Sequence, residues 1–150
     1  MKKIILISAL LFLGSNAFSH SAAITEDEAI AKLNEFFLLL DVKNYEKENI
    51  SRILTSDVQI IIAGYEFDLD SFDLMIKEAF ENIIKTEQIL SDLVVSLDHN
   101  SAHITYYKKG RFQTNENETI HTNRMQSVYM VQEDGELKLK FLQSVEREIK

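Results

Sequence analysis

The sequence has no cysteine, no proline and only four glycines among its 150 residues. The lack of cysteine excludes disulfide bonds, thiolate nucleophiles and cysteine-ligated metals together. The lack of proline, with no low-complexity stretch after residue 23, leaves no recognisable linker between domains. Because a chain of this length without internal repeats can bury a substantial core, we predict one domain stabilised mainly by hydrophobic packing.

Positive charge is also scarce, since 16 basic residues stand against 24 acidic ones and give a formal charge of −8. Such a balance argues against binding to the phosphate backbone of a nucleic acid. The one basic stretch, YYKKGRF at residues 106–112, is short and lies beside an acidic loop. We interpret it as a solvated strand end and expect no nucleic-acid partner.

Long apolar runs are confined to the N-terminus. Lys2 and Lys3 precede an apolar segment at residues 4–13, and small residues follow it. This order is typical of a secretory signal peptide, and the run is shorter than the roughly 20 residues that cross a bilayer. We predict a signal peptide at residues 1–23, cleaved between residues 17 and 23. The protein is then expected to be exported by a bacterium, periplasmic or secreted, without a stable membrane anchor; an uncleaved anchor is the alternative.

Apolar residues at helical spacing predict three helices in the first half of the mature chain. Thr25 and Glu28 have the spacing of a capping box at the start of a helix that ends near Leu40. The other predicted helix starts are Asp41 or Asn44 for the second helix and Asp70 or Ser71 for the third. The predicted inner face of the third helix consists of Phe72, Ile76, Ala79, Phe80 and Ile83.

Strand patterns occupy the remaining segments. Residues 57–64 form a β-branched run that ends at a glycine, and residues 65–69 are predicted to pair with it. From Glu87 onward the apolar period changes to 2, which predicts four long strands at residues 88–97, 101–113, 118–132 and 136–147. Helices followed by a strand meander indicate an α+β domain with the helices packed on one sheet face.

The last two strands are predicted to form a hairpin with Asp134 and Gly135 in the turn. Glu133 then faces Glu136, and the pairs follow at steps of two residues. One face receives the pairs Gln132 with Leu137, Met130 with Leu139, Val128 with Phe141, Gln126 with Gln143 and Arg124 with Val145. Because Lys138 and Lys140 fall on the opposite face, we expect these pairs to face the helices.

The face directed at the helices therefore carries polar side chains at its far end. A turn near Glu116 would also set Tyr106 beside Gln126 and Lys108 near Arg124. Buried amides and a guanidinium cost several kcal/mol each unless they find partners. Either they satisfy one another, or they line a pocket for a small polar or anionic molecule, or a slip of register turns them outward. The predicted ligand-binding residues are Tyr106, Arg124, Gln126 and Gln143.

No catalytic or metal-binding constellation is evident in the sequence. His103 and His121 are predicted on adjacent strands but far apart along them, so no metal site and no cofactor are expected. We find no grouping of serine, histidine and aspartate and no phosphate-binding loop. Asp92 is the one candidate for an inward-facing acid.

The order of elements, together with the segments LLLDVKNYEKENISRILTSDVQI and VYMVQEDGELKLKFLQSV, resembles the NTF2-like superfamily, in particular its SnoaL-like and DUF4440-like members. The resemblance covers residues 25–148 and implies a single domain at residues 24–150. It also implies a cone: three N-terminal helices packed on a curved antiparallel sheet of four long strands plus a short strand pair. Folds of this kind host many functions, so the resemblance does not assign one.

The resemblance also suggests which reactions to consider. In the ketosteroid-isomerase branch it implies a carboxylate base near the end of the first strand and a tyrosine in the first helix. Residues 60–62 of this chain are all isoleucine, and the helix at residues 24–40 has no tyrosine. We therefore favour a non-catalytic binding domain that uses either the pocket or the sheet surface. The alternatives are a SnoaL-like or isomerase-like enzyme that uses Tyr106 or Asp92, and a dimeric accessory subunit of an envelope assembly.

A homodimer through the outer sheet face is the expected form of self-association in a fold of this kind. The residues predicted to support it are Tyr107, Tyr129 and Leu142.

Overall fold

The computed structural model describes residues 23–147, so the predicted signal peptide falls almost entirely outside the described residues. The elements are α1 (Glu26–Leu39), α2 (Lys47–Ile53), β1 (Leu54–Ile62), β2 (Tyr65–Phe67), α3 (Leu69–Phe80), β3 (Ile83–Leu97), β4 (Ser101–Thr114), β5 (Thr119–Glu133) and β6 (Glu136–Glu146). No helix among the described residues is long and apolar enough to cross a membrane.

The six strands form one curved sheet in the order β2-β1-β6-β5-β4-β3. Strands β3 to β6 are an antiparallel meander, and the short pair β1 and β2 joins it where β1 runs parallel to β6. The predicted α+β class is confirmed. The sheet is mixed, however, because the chain enters β1 from α2 in the same direction as β6.

Two of the predicted helix starts are wrong because other side chains provide the contacts. The capping box of α1 is confirmed: Thr25 N–H donates to the Glu28 carboxylate at 2.8 Å. Helix α3 begins earlier than predicted because Asp68 accepts from the Ser71 N–H at 2.9 Å. Helix α2 begins only after Glu46, since the Asp41 carboxylate instead accepts from the Thr86 hydroxyl at 2.6 Å.

The hydrophobic core lies between α1, α2 and the concave face of the sheet. Helix α1 packs Ala29, Leu33 and Phe36 inward, and the sheet contributes apolar side chains that are almost completely buried. The core side chains from the long strands include Ala102, Ile104, Val128, Met130 and Leu139. These positions follow the predicted alternation, so the face chosen from the sequence is the one that the helices cover.

The pairing of β4 with β5 is confirmed at every predicted position. Tyr106 lies opposite Gln126, and Lys108 lies opposite Arg124. The turn between β5 and β6 is also as predicted: Glu133 pairs with Glu136, and the two turn residues have the positive φ that such a hairpin needs.

A β-bulge changes which side chains of β6 face the core. Met130 pairs with Leu139 but Tyr129 pairs with Phe141, so Lys140 is an extra residue on β6. Beyond it every side chain points to the face opposite to the predicted one. The predicted pairs Val128 with Phe141, Gln126 with Gln143 and Arg124 with Val145 are therefore wrong, and the observed partners are Leu142, Ser144 and Glu146.

One consequence of the bulge is that Gln143 is exposed and opposes Ser127 on the convex face. The other is that Leu142, predicted on the convex face, is buried in the concave one.

Helix α3 is anchored by a buried carboxylate. Asp73 is 4 % exposed and accepts from the Tyr45 hydroxyl at 2.9 Å and from Lys77 Nζ at 2.8 Å, with Lys47 Nζ at 4.0 Å. Burial by itself would raise the pKa of Asp73, but the hydrogen bonds from Lys77 and Tyr45 hold that pKa below its usual value. Burial and the hydrogen bond to Asp73 in turn raise the pKa of Tyr45.

Asp73→Asn is expected to destabilise the protein by about 2 kcal/mol at pH 7, because a charged hydrogen-bond acceptor is lost from a buried site. The folded pKa lies below the unfolded one, so the stabilisation is complete above the unfolded pKa and is lost as the pH falls below about 4. Urea melts at pH 7 and pH 3 should therefore show a smaller difference at pH 3. Asp70→Asn is the matched control, since this carboxylate is exposed and pairs with the neighbouring Lys47; an equal loss in both variants would contradict the prediction.

Candidate functional site

A partly enclosed cavity of about 250 Å³ lies between helices α1 and α3 and the concave face of the sheet. Its apolar wall consists of Phe36, Phe37, Leu40, Ile62, Phe72, Met75, Ile76, Ala79, Phe80, Phe112 and Leu142. Four of the five residues predicted for the inner face of α3 belong to this wall. The fifth, Ile83, lies instead at the start of β3, since the strand begins before the change of period in the sequence.

The polar side of the cavity is formed by inward-facing residues of three neighbouring strands. Strand β4 contributes Lys108, β5 contributes Thr122, Arg124 and Gln126, and β6 contributes Ser144. These side chains meet because the pairing of the strands places Lys108 opposite Arg124 and Gln126 opposite Ser144.

The Ser144 hydroxyl accepts two hydrogen bonds at the centre of this polar side. Gln126 Nε2 donates to Ser144 Oγ at 2.8 Å and Arg124 Nη1 donates at 3.4 Å. A hydroxyl has two acceptor positions and one hydrogen, so the hydrogen of Ser144 remains available to a further acceptor. Turning the Gln126 amide around would let Ser144 donate to it, but would then leave the amide N–H groups available. In both arrangements the cavity presents an uncommitted donor.

Both cations of the cavity lack a negatively charged partner among the described residues. Lys108 Nζ donates to Gln88 Oε1 at 3.1 Å and lies 5.0 Å from the centre of the Phe37 ring. Glu146 is opposite Arg124 in the strand pairing, yet it is exposed and makes no ion pair with it. Burial, and in second place the charge of Arg124, lower the pKa of Lys108 to about 8. The cavity is therefore positively charged within an acidic protein.

The structure brings together only two of the four predicted ligand-binding residues. Arg124 and Gln126 line the cavity. Tyr106 is buried in the core, edge-on to Phe37 with 6.0 Å between ring centres, and is not part of the cavity wall. Gln143 points away from the cavity because of the bulge at Lys140. Gln143 therefore does not line this cavity.

Sequence reasoning missed Ser144 and gave no weight to Lys108. The signal for Ser144 was the apolar pair Phe141 and Leu142, because two adjacent apolar residues break an alternating strand and are typical of a bulge. Lys108 was correctly set beside Arg124, but its position in a basic run made it look like a solvated residue. Only the packing of Phe37 and Gln88 around its amine shows that it faces the cavity.

No protein-family model matches the chain, and no curated protein matches its sequence. Solved structures do resemble it. An NTF2-like superfamily protein from Salmonella enterica superimposes with a TM-score of 0.70 at 9 % identity, over 82 % of this chain and 91 % of the other. An NTF2-like protein from Cytophaga hutchinsonii gives 0.66 at 14 % identity, over 83 % of this chain and all of the other.

The chain has the NTF2-like cone fold. A hexachlorocyclohexane dehydrochlorinase, LinA type 2, also superimposes on it, with a TM-score of 0.69 at 11 % identity over 81 % of this chain and 84 % of the enzyme. At identities this low the similarity establishes the fold and leaves the activity open, since one fold hosts many functions.

In this cone the candidate acid and base groups lie outside the cavity. Asp92 is exposed at a bulge of β3 with a φ of 54°, so the possibility of an inward-facing acid at this position is excluded. Burial raises the pKa of Tyr106, so its hydroxyl stays protonated at neutral pH. Within residues 23–147 no group of three or more histidine, aspartate or glutamate side chains is arranged to hold a metal ion.

Tyr106→Phe is expected to stabilise the protein by about 1 kcal/mol in urea melts. The Tyr106 hydroxyl is buried without a hydrogen-bond partner among the described residues, so its removal relieves an unsatisfied polar group. Tyr107→Phe is the matched control, because Tyr107 points to the opposite face of β4. The Arg147 guanidinium lies over the face of the Tyr107 ring. A loss of stability in Tyr106→Phe would show that the hydroxyl has a partner in solution.

Proposed function

We propose that the cavity of this cone-fold protein binds a small organic anion with an apolar body. The observation that carries the proposal is that Lys108 and Arg124, without a negatively charged partner among the described residues, face the same cavity whose remaining wall is mainly apolar. Both residues are half-buried, and charges that are partly removed from water are stabilised by an opposite charge, which an anionic ligand would supply.

The donors of the cavity match a carboxylate. The Arg124 guanidinium can donate two parallel hydrogen bonds to the two oxygens of a carboxylate, and either Ser144 or Gln126 adds a neutral donor beside it. The aromatic and aliphatic wall then suits the apolar remainder of the ligand. A volume of about 250 Å³ is below the range of about 300–1,000 Å³ for drug-sized ligands. We therefore propose a compact aromatic or short aliphatic carboxylate.

Binding is proposed ahead of catalysis because no carboxylate and no histidine of the described residues lines the cavity. General-base catalysis requires such a group within hydrogen-bond reach of the substrate. Tyr106 is outside the cavity wall and Asp92 is exposed, so neither supports the enzyme alternative.

The proposal is tested with pairs of ligands that have the same shape and different charge. Phenylacetate and hexanoate are compared with phenylacetamide and hexanamide in thermal melts and by titration calorimetry. A ligand that binds only the folded state raises the melting temperature with its concentration. The carboxylates are expected to stabilise the protein and the amides to have little effect. Equal stabilisation by acids and amides would exclude a charge-selective site.

We also propose that the mature protein acts outside the cytoplasm, which rests on the leader pattern at residues 1–23 alone. Expression of the full chain in a Gram-negative host, followed by cell fractionation and mass spectrometry, would test it. The expected product lies outside the cytoplasm and begins between residues 18 and 24. A full-length cytoplasmic protein would contradict the proposal.

The homodimer through the sheet stays a prediction. Met125 and Val145 are 45 % and 43 % exposed on the convex face, together with Tyr129, whereas Leu142 is not part of that face.

A further inference from the structure

We propose that Lys108 is a nucleophilic lysine that forms a reversible imine with a carbonyl group of the bound anion. The ligand class is an oxo acid, such as a 2-oxo acid, whose carboxylate is held by Arg124. The inference rests on the proposed function, because it uses the same cavity and the same anion, and it adds a covalent step to binding.

The surroundings of Lys108 favour a neutral amine. An ammonium group has three N–H donors, and the one hydrogen-bond acceptor that Lys108 has among the described residues is Gln88 Oε1. The Phe37 ring lies 5.0 Å from the amine and shields it from water, but its face also attracts a cation, so the loss of hydration and the nearby Arg124 have to outweigh this contact. A second cation, Arg124, faces it across the strand pair. A lysine that is desolvated or close to another cation is a known way of activating an amine as a nucleophile.

The pKa of Lys108 agrees with this geometry. With a pKa of about 8, about a fifth of the amine is neutral at pH 7.4, against about 0.1 % for an unperturbed lysine. Lys109 is the next residue along β4 and is exposed on the opposite face of the strand, outside the cavity. Labelling of Lys109 is therefore an internal control for the selectivity of the reaction at Lys108.

Arg124 is placed to present the carbonyl carbon to the amine. Directly opposed residues on antiparallel strands have Cβ atoms about 4.5–5.5 Å apart, and Lys108 and Arg124 are opposed in this way. In a 2-oxo acid the carbonyl carbon is bonded to the carboxylate carbon. An anion anchored on Arg124 would thus hold its carbonyl group on the side of the cavity where the Lys108 amine lies.

The step is balanced without any further reactant. The lone pair of the neutral Lys108 amine attacks the carbonyl carbon, and the carbonyl oxygen gains a proton to give a carbinolamine. Loss of water then forms the C=N bond, and the departing water carries away the carbonyl oxygen and the two hydrogens of the amine. Hydrolysis reverses the reaction, so the ligand is held covalently but can be released.

The experiment uses the mature chain and phenylglyoxylate, an aromatic 2-oxo acid, with sodium cyanoborohydride to reduce any imine to a stable amine. Intact-mass measurement and peptide mapping locate the adduct. We expect modification at Lys108 at least tenfold above that at any other lysine. The adduct should be absent in Lys108→Arg, which keeps a cation but has no nucleophilic amine, and unchanged in Lys109→Arg. Labelling spread over the exposed lysines, or unchanged labelling of Lys108→Arg, would overturn the inference.

Two further ligands separate this inference from the proposed function. Phenylacetate has the carboxylate without a ketone, and acetophenone has the ketone without a carboxylate. If calorimetry detects phenylacetate but phenylglyoxylate gives no adduct, the cavity binds anions and the imine is excluded. If neither acid binds and no adduct forms, both are excluded. Acetophenone should give at most a tenth of the phenylglyoxylate adduct. Equal labelling of Lys108 by the two ketones would show that Arg124 does not position the carbonyl group.

Discussion

Arg124→Met is expected to weaken the binding of a carboxylate such as phenylacetate by about 10- to 100-fold. The variant keeps an unbranched apolar side chain on the same strand position but loses the charge and the donors that face the cavity. Hydrogen bonds to charged groups contribute about 1.5–3 kcal/mol, and each 1.4 kcal/mol corresponds to a tenfold change in affinity. Titration calorimetry measures the change directly, and the affinity for the matching amide should hardly alter.

Arg111→Met is the matched control for this prediction. Arg111 is exposed on the opposite face of β4, where Glu87 lies 3.5 Å from its guanidinium. Its removal lowers the total positive charge by the same amount, so any difference between the two variants reports position and not net charge. Comparable losses of affinity in both variants would show that the ligand binds elsewhere.

Lys108→Met is expected to stabilise the unliganded protein by about 2 kcal/mol at pH 7. The desolvated amine of Lys108 has a folded pKa of about 8, below its unfolded value, so the folded state holds this proton less firmly than the unfolded state. Charging the half-buried amine destabilises the protein below about pH 8, and this penalty disappears as the pH rises towards about 10. Because the side chain is only half-buried, the expected gain is smaller than the full shift would give.

Urea melts at pH 7 and pH 10 test this directly. The wild-type protein should gain stability between the two pH values relative to Lys108→Met, and a bound carboxylate should remove most of that difference. Lys109→Met, which removes the exposed lysine next along the chain, controls for the loss of one positive charge. If Lys108→Met is instead less stable than the wild type at pH 7, the ammonium has a stabilising partner and the cavity is not charge-deficient.

The loss of affinity in Arg124→Met and the gain of stability in Lys108→Met have one cause, which is the positive charge of the cavity. A cavity with two cations and no described counter-charge is unstable by itself and attractive to an anion. Variants that neutralise it are therefore expected to gain stability while they lose affinity, which is a common trade between stability and function. A protein whose Lys108 and Arg124 served only structural roles would lose stability in both variants.

The parts of the fold that depend on neighbouring residues could be predicted from the sequence. The capping box of Thr25 and Glu28 and the hairpin turn at Asp134 and Gly135 each act within a few residues, and both are confirmed. The inward direction of Arg124 and Gln126, and the position of Lys108 opposite Arg124, also followed from the sequence, because β4 and β5 alternate without interruption where they pair. The start of α2 was wrong because Asp41 bonds to Thr86, which is 45 residues away along the chain. The start of α3 was wrong for a local reason, since Asp68 and not Asp70 or Ser71 caps the helix.

The sequence by itself determined the α+β class, the order of the elements and the pairing of β4 with β5, since capping, turns and alternation are local properties. Only the tertiary structure decided that β1 runs parallel beside β6, that Lys140 bulges and that Ser144 replaces Gln143 in the cavity. A bulge depends on strands that pair from both sides, and here those strands come from distant parts of the chain. The charge of the cavity was decided by packing for the same reason. The whole fold determines how far the carboxylates lie from Lys108 and Arg124.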